Sequence, residues 1–211
     1  KDMDDIRLAA ELGIDFLAVS FARDGDDVRR AQAELRRWRG DGRIVAKIER
    51  HEALDNLAGI LAVTDGVMVA RGDLGVEMGY AELTGLQKTI IRQSLARNRV
   101  VITATQMLNS MEHSRRPTRA EASDVVNAVL DGTDAVMLSA ETAAGKYPVE
   151  TITQMAAIAL EAEAADDVSI ETDFTNKKFG RIDQSIAMGA LFTAHHLGCK
   201  AIIALTESGS T

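Results

Sequence analysis

Apolar positions along the chain change their period repeatedly, and the changes mark out alternating helices and strands. Residues 4–12 carry apolar side chains at helical spacing and stop at Gly13, a common helix terminator. Residues 16–21 form a short run, apolar on both faces, as in a strand covered by helices on both sides. The pattern then predicts helix over 25–38, strand over 44–49, helix over 52–62, strand over 66–70, an amphipathic helix over 82–97 and strand over 100–105. Thr118 and Glu121 have the spacing of a capping box and open a helix over 121–130, closed by Gly132. Strand 135–139 and an alanine-rich helix over 149–163 follow. Residues 166–178 are polar and irregular and read as a linker, with a domain boundary near 173–178. Beyond it come a helix over 183–196 and a strand over 201–205.

Five strand–helix units in succession fit either an open doubly wound sheet or part of a (β/α)₈ TIM barrel. The polar residues at the strand ends favour the barrel. Ser20, then Lys47 and Glu49, then Arg71 and Asp73, then Thr105, then Ser139 and Glu141 all stand at carboxyl ends. A barrel gathers its site from many such ends, whereas an open sheet uses mainly one switch point.

Composition narrows the function. The chain has 211 residues, a net charge of −8 and 46% hydrophobic residues, which suits a globular α/β protein with an ample core. The acidic balance and the lack of a basic stripe argue against nucleic acid. The basic excess over 29–39 reads as one solvated helix face. No apolar run approaches the roughly 20 residues that a membrane span needs, and no signal peptide opens the chain. Cys199 is alone, which excludes an intrachain disulfide and fits a reducing, cytoplasmic setting. Lys1 stands directly before a helical pattern and Thr211 falls inside a glycine-containing loop, so an internal piece of a longer enzyme is expected.

The candidate chemistry centres on 44–49 and 69–75. In a strand, residues two apart share a face, so Lys47 and Glu49 point together while Ala46 and Ile48 face the other way. Such charges in an apolar sheet must meet a ligand, a metal or each other. A buried Lys47–Glu49 ion pair is the structural alternative to a catalytic lysine. Glu49 and Asp73, on adjacent strand ends, could hold a hard cation such as Mg²⁺, which takes one or two carboxylates and leaves positions for substrate and water. Their bland alternative is a salt-bridged Glu49 and a helix-capping Asp73. Gly72 and Gly75 allow φ > 0 and close backbone approach, and turn amides around them could bind an anion.

The strings at 44–56 (IVAKIERHEALDN), 67–77 (VMVARGDLGVE), 102–107 (ITATQM), 116–121 (RPTRAE), 124–132 (DVVNAVLDG) and 137–143 (MLSAETA) together resemble the pyruvate kinase family. The resemblance implies residues 1–172 as the latter part of the catalytic barrel and 173–211 as the start of a C-terminal α/β regulatory domain. The first three barrel strands, the lid domain and the rest of the regulatory domain would lie outside this chain. It implies phosphoryl transfer from phosphoenolpyruvate to ADP, giving pyruvate and ATP in glycolysis. Lys47 and Thr105 would be catalytic. Lys47, Gly72, Asp73 and Thr105 would bind substrate, and Glu49 and Asp73 would hold Mg²⁺ or Mn²⁺. K⁺ would be held by ligands outside this chain. Arg71, Ser139 and Glu141 are expected in supporting roles. Thr206, Ser208, Gly209, Ser210 and Thr211 resemble a loop that grips the phosphate of an allosteric effector, although Glu207 and Ser210 stand where forms specific for fructose 1,6-bisphosphate often carry a basic residue. A homotetramer is implied for the intact enzyme, and the piece alone is expected to be inactive. Two other readings stay open: a Mg²⁺-dependent or Schiff-base lyase acting on a 2-oxo acid, with Lys47 as nucleophile, and a non-catalytic assembly or effector-binding module. Nothing assigns His51, His113, His195 or His196 a role, and Met107, Met111, Met137 and Met155 read as core filling.

Overall fold

The computed structural model describes residues 2–165, 180 and 182–205. The chain divides into two compact units, Lys1–Ala165 and Asp166–Thr211. The expected linker and domain boundary at 166–178 lie outside the described residues.

In the first unit the order is α1 (Asp2–Leu12), β1 (Phe16–Val19), α2 (Gly25–Arg37), β2 (Arg43–Ile48), α3 (His51–Asp55), α4 (Leu57–Val63), β3 (Gly66–Ala70), α5 (Arg71–Met78), α6 (Tyr80–Leu95), β4 (Val100–Ala104), a 3₁₀ turn (Asn109–Glu112), α7 (Arg119–Leu130), β5 (Ala135–Met137), α8 (Ala140–Ala143) and α9 (Pro148–Ala165). The five strands make one parallel sheet in the order β1-β2-β3-β4-β5. A doubly wound sheet reverses its order at a switch point; this one never does. The fold is therefore an open, partial barrel of the α/β class. The second unit contributes α10 (Ile182–His196).

Side-chain alternation sorts the sheet into two faces. Ile44, Ala46 and Ile48 of β2, Val67 and Val69 of β3 and Val101 of β4 join the helix-side core with Val28, Leu35, Ile60, Leu61, Ile90 and Ile91. Val45, Met68 and Ala104 form a smaller cluster on the opposite face, with Ile102 and Met137 against it. Met107, Met111 and Met155 are buried together beside α7, as core filling predicts. Burying each large aliphatic side chain contributes about 1.5–3 kcal/mol, so the helix-side layer dominates the stability of this unit.

The amino ends of two strands are fastened by the same dipeptide. Before β3, the Asp65 carboxylate accepts from the Ile44 amide (2.8 Å) and the Thr64 hydroxyl reaches the carbonyls of Ile44 (2.9 Å) and Gly66 (2.8 Å). Before β5, Asp134 accepts from the Val101 amide (2.7 Å) and Thr133 reaches the carbonyls of Val101 and Ala135, both at 3.1 Å. Each Thr-Asp pair thus ties the start of its own strand to the start of the preceding one.

Several expected elements change. The helix over 52–62 breaks at Asn56, whose side-chain amide donates to the carbonyls of Glu52 (3.0 Å) and Arg23 (3.2 Å), a local alternative to continuing the helix. β1 ends at Val19, and Phe16 and Phe21 are 55% and 56% exposed because β1 is an edge strand rather than one covered on both faces. β4 stops at Ala104 because Thr105 turns to φ +69. Residues 201–205 are not a strand: Ile203 is 91% exposed, and no sheet edge among the described residues of the second unit pairs with it. An unpaired strand has no partner for its backbone groups.

Candidate active site

Lys47 and Glu49 project from the end of β2 on the face of Val45. Glu49 is 2% exposed. Its Oε2 accepts from the Phe21 amide at 2.7 Å, where the chain turns at φ +54 just past β1. The Lys47 ammonium lies 2.6 Å from Glu49 Oε1 and donates to Ser20 Oγ at 3.0 Å. The ion pair offered by the sequence is therefore present. Oε1 is buried and meets Lys47 as an ion pair rather than through an aligned hydrogen bond.

The end of β3 differs from the glycine loop expected there. Residues 71–78 are helix α5, and Gly72 and Gly75 lie inside it, neither with positive φ. The left-handed residue is Gly79 (φ +88), between α5 and α6. Asp73, in the first turn of α5, is exposed, and among the described residues it makes no hydrogen bond or ion pair. The register sets Ile48 beside Val69, so Glu49 and Asp73 follow the carboxyl ends of adjacent strands. The Gly72 amide donates to Thr105 Oγ1 (2.7 Å), and the Thr105 hydroxyl in turn reaches the Ala104 carbonyl (2.7 Å).

Arg71 is 6% exposed and spans from β3 to the turn after β4. It donates to the carbonyls of Thr105 (2.8 and 3.1 Å) and Gln106 (3.0 Å), to Asp124 (2.6 Å) and to Gln87 (3.4 Å). Sequence reasoning missed Gln87 and Asp124, which lie 16 and 53 residues away. The only hint was for Asp124, which opens the matched string at 124–132; Gln87 falls in none of the strings. Ser139 and Glu141 do meet: Glu141, 1% exposed, accepts from the amides of Ser139 (2.8 Å) and Leu108 (3.3 Å), drawing the ends of β4 and β5 together. Nearby, Glu121 accepts from the Ser110 amide (2.6 Å) and hydroxyl (2.5 Å) and from the Thr118 amide (2.7 Å). Burial pushes the Glu121 carboxyl up, but the bonds from Ser110 and Thr118 outweigh it and hold it below the usual carboxylate range.

No group of three or more His, Cys, Asp and Glu among the described residues is arranged to hold a metal. Two carboxylates stand at this rim: the buried Glu49, whose Oε1 is met by the Lys47 ammonium, and the exposed Asp73, which makes no hydrogen bond or ion pair among the described residues. His51 pairs with Asp55 (3.1 Å) and His113 lies 3.9 Å from Glu112, both away from these carboxylates' hydrogen bonds. The expected effector loop, 206–211, lies outside the described residues. No helix among the described residues is long and apolar enough to cross a membrane.

A family model described as "Pyruvate kinase, barrel domain" matches residues 1–152. Over its whole length the chain is 52% identical to pyruvate kinase II of Salmonella typhimurium. It is 51% identical to the pyruvate kinases of Buchnera aphidicola subsp. Baizongia pistaciae and Haemophilus influenzae. It spans 45% of the length of each of these relatives.

Proposed function

This chain belongs to the pyruvate kinase family, and on that premise we propose that the rim formed by the ends of β2, β3 and β4 serves phosphoryl transfer from phosphoenolpyruvate to ADP in the intact enzyme. The observation that carries the proposal is the buried Glu49, ion-paired to the Lys47 ammonium through Oε1 and one strand away from the exposed carboxylate of Asp73.

Glu49 and Asp73 would hold Mg²⁺ or Mn²⁺, which when bound supplies positive charge to the phosphoryl and carboxylate oxygens of the substrate. Lys47 has a partly exposed side chain (24%), so its ammonium can turn from Glu49 toward an arriving phosphoryl oxygen. A cation fixed before the reaction stabilises charge as it develops, without reorganising solvent. The Gly72 amide now points at Thr105 Oγ1, so binding a substrate carboxylate there means exchanging one acceptor for another. In this reading the Thr105 hydroxyl, which donates to the Ala104 carbonyl, turns from that carbonyl to hand a proton, through water, to the enolate left after transfer, and takes one back from solvent water. Arg71, Ser139 and Glu141 keep the surrounding backbone in place. K⁺, ADP, the phosphorylated effector and a homotetramer belong to the intact enzyme in this reading, as does a cytoplasmic location. The lyase reading needs Lys47 as a free amine, and the 2.6 Å ion pair with Glu49 weighs against it.

Lys47→Met in the intact enzyme is expected to lower kcat by at least about 10²–10³ with KM for ADP little changed. Steady-state kinetics on the folded variant reads this directly, and a loss of less than about tenfold removes Lys47 from the catalytic role.

A further inference from the structure

Thr105 is β-branched and stands at φ +69, and Gln106 follows at φ +54. Two successive non-glycine residues in the left-handed region are rare, and a threonine there is a true outlier that persists only when its surroundings fix it. What fixes it is Arg71. A guanidinium has five N–H donors, and each of the five has an acceptor here. Nε donates to the Thr105 carbonyl, Nη2 to the carbonyls of Thr105 and Gln106, and Nη1 to Asp124 and Gln87. No donor is left over for a ligand. The next residue, Gly72, holds the same threonine by its side chain, through the 2.7 Å bond to Oγ1. Gln87 on α6, 3% exposed, and Asp124 on α7 brace the guanidinium from behind.

We propose that Arg71 is a positioning residue for proton delivery: it binds no substrate, but by clamping the Thr105–Gln106 turn it sets where the Thr105 hydroxyl stands. The proposal rests on the proton-delivering role given to Thr105 above. Lysine cannot replace this clamp, because a single ammonium lacks the planar fork that reaches two carbonyls and a carboxylate at once.

The test uses the intact enzyme and two assays. One is turnover with phosphoenolpyruvate and ADP. The other is exchange of the pyruvate methyl protons in D₂O, followed by proton NMR, which reports proton transfer without phosphoryl transfer. Arg71→Lys is expected to lower kcat and exchange together by about tenfold or more, with KM for phosphoenolpyruvate unchanged within about twofold. Combined with Thr105→Val, it is expected to add no further loss beyond the larger single effect, because both act through one hydroxyl. Losses that multiply, or a raised KM with kcat intact, overturn the positioning role. A fully active Thr105→Val enzyme instead overturns the role of Thr105 itself, and the clamp's function with it. Asp124→Asn is the milder variant, since the 39% exposed side chain keeps an oxygen acceptor. It is expected to slow exchange several-fold with an unchanged thermal midpoint. If Arg71→Lys does not fold, wild-type exchange in Asp124→Asn overturns the proposal.

Discussion

Single residues in this chain carry charge into places where it must be matched. Glu49 is matched on one oxygen by a backbone amide and on the other by the Lys47 ammonium. Glu121 is matched completely, by hydroxyls and amides alone. Its carboxyl is held below its unfolded value, so its contribution to stability is fully present above the usual carboxylate range, near pH 4–5, and is lost as pH falls through the depressed folded value. Glu121→Gln keeps an acceptor but not the charge. Urea midpoints measured from about pH 7 down to about pH 3 should then fall less steeply with acid than those of the unchanged chain. Parallel curves would show that Glu121 contributes nothing through its ionisation. At this scale the strand period revealed Lys47 and Glu49, because two residues apart means one face. It could not reveal Arg71's acceptors, which sit on elements far away in sequence, nor that Gly72 would spend its amide on Thr105 rather than leave it open.

Among the elements, strand ends and helix starts were legible where a local rule governs them. The Thr118–Glu121 capping box forms as its spacing predicts, and Gly132 takes φ +93 just past α7. The break at Asn56 was not legible, because it depends on the Arg23 carbonyl arriving from the turn between β1 and α2. Helix α5 was hidden by its glycines, which carry low helix propensity yet sit in a turn that the packing of Leu74 secures. The repeated Thr-Asp fastening could have been found by comparing TDGVMV with TDAVML. Asp134→Ala is expected to cost about 1–3 kcal/mol, since it leaves the Val101 amide without its acceptor at a part-buried strand start. Chemical denaturation reads that loss, and a change within about 0.5 kcal/mol would mean that water takes over the role of the carboxylate.

For the whole molecule, fold class followed from strand ends that were polar in every unit, a pattern that needs no knowledge of long-range contacts. What lay beyond reach was the fate of 201–205, apolar enough for a strand but without a strand to pair with among the described residues of the second unit. The open sheet leaves β1 and β5 as edges. Unpaired edges of this kind invite other chains. The 211-residue polypeptide alone is expected to show no ADP-dependent turnover, and its sedimentation should shift to larger species as concentration rises through about 10–100 µM. A monomer throughout that range, or measurable turnover, would contradict these expectations, and binding of a phosphorylated effector by such a monomer would favour the assembly-module reading. The unbroken strand order has one more consequence. Each strand from β2 to β5 docks on the one made just before it, so none of these four has to wait for a distant partner to emerge from the ribosome. This stretch of sheet can grow by accretion, at the pace of synthesis and in the direction of translation.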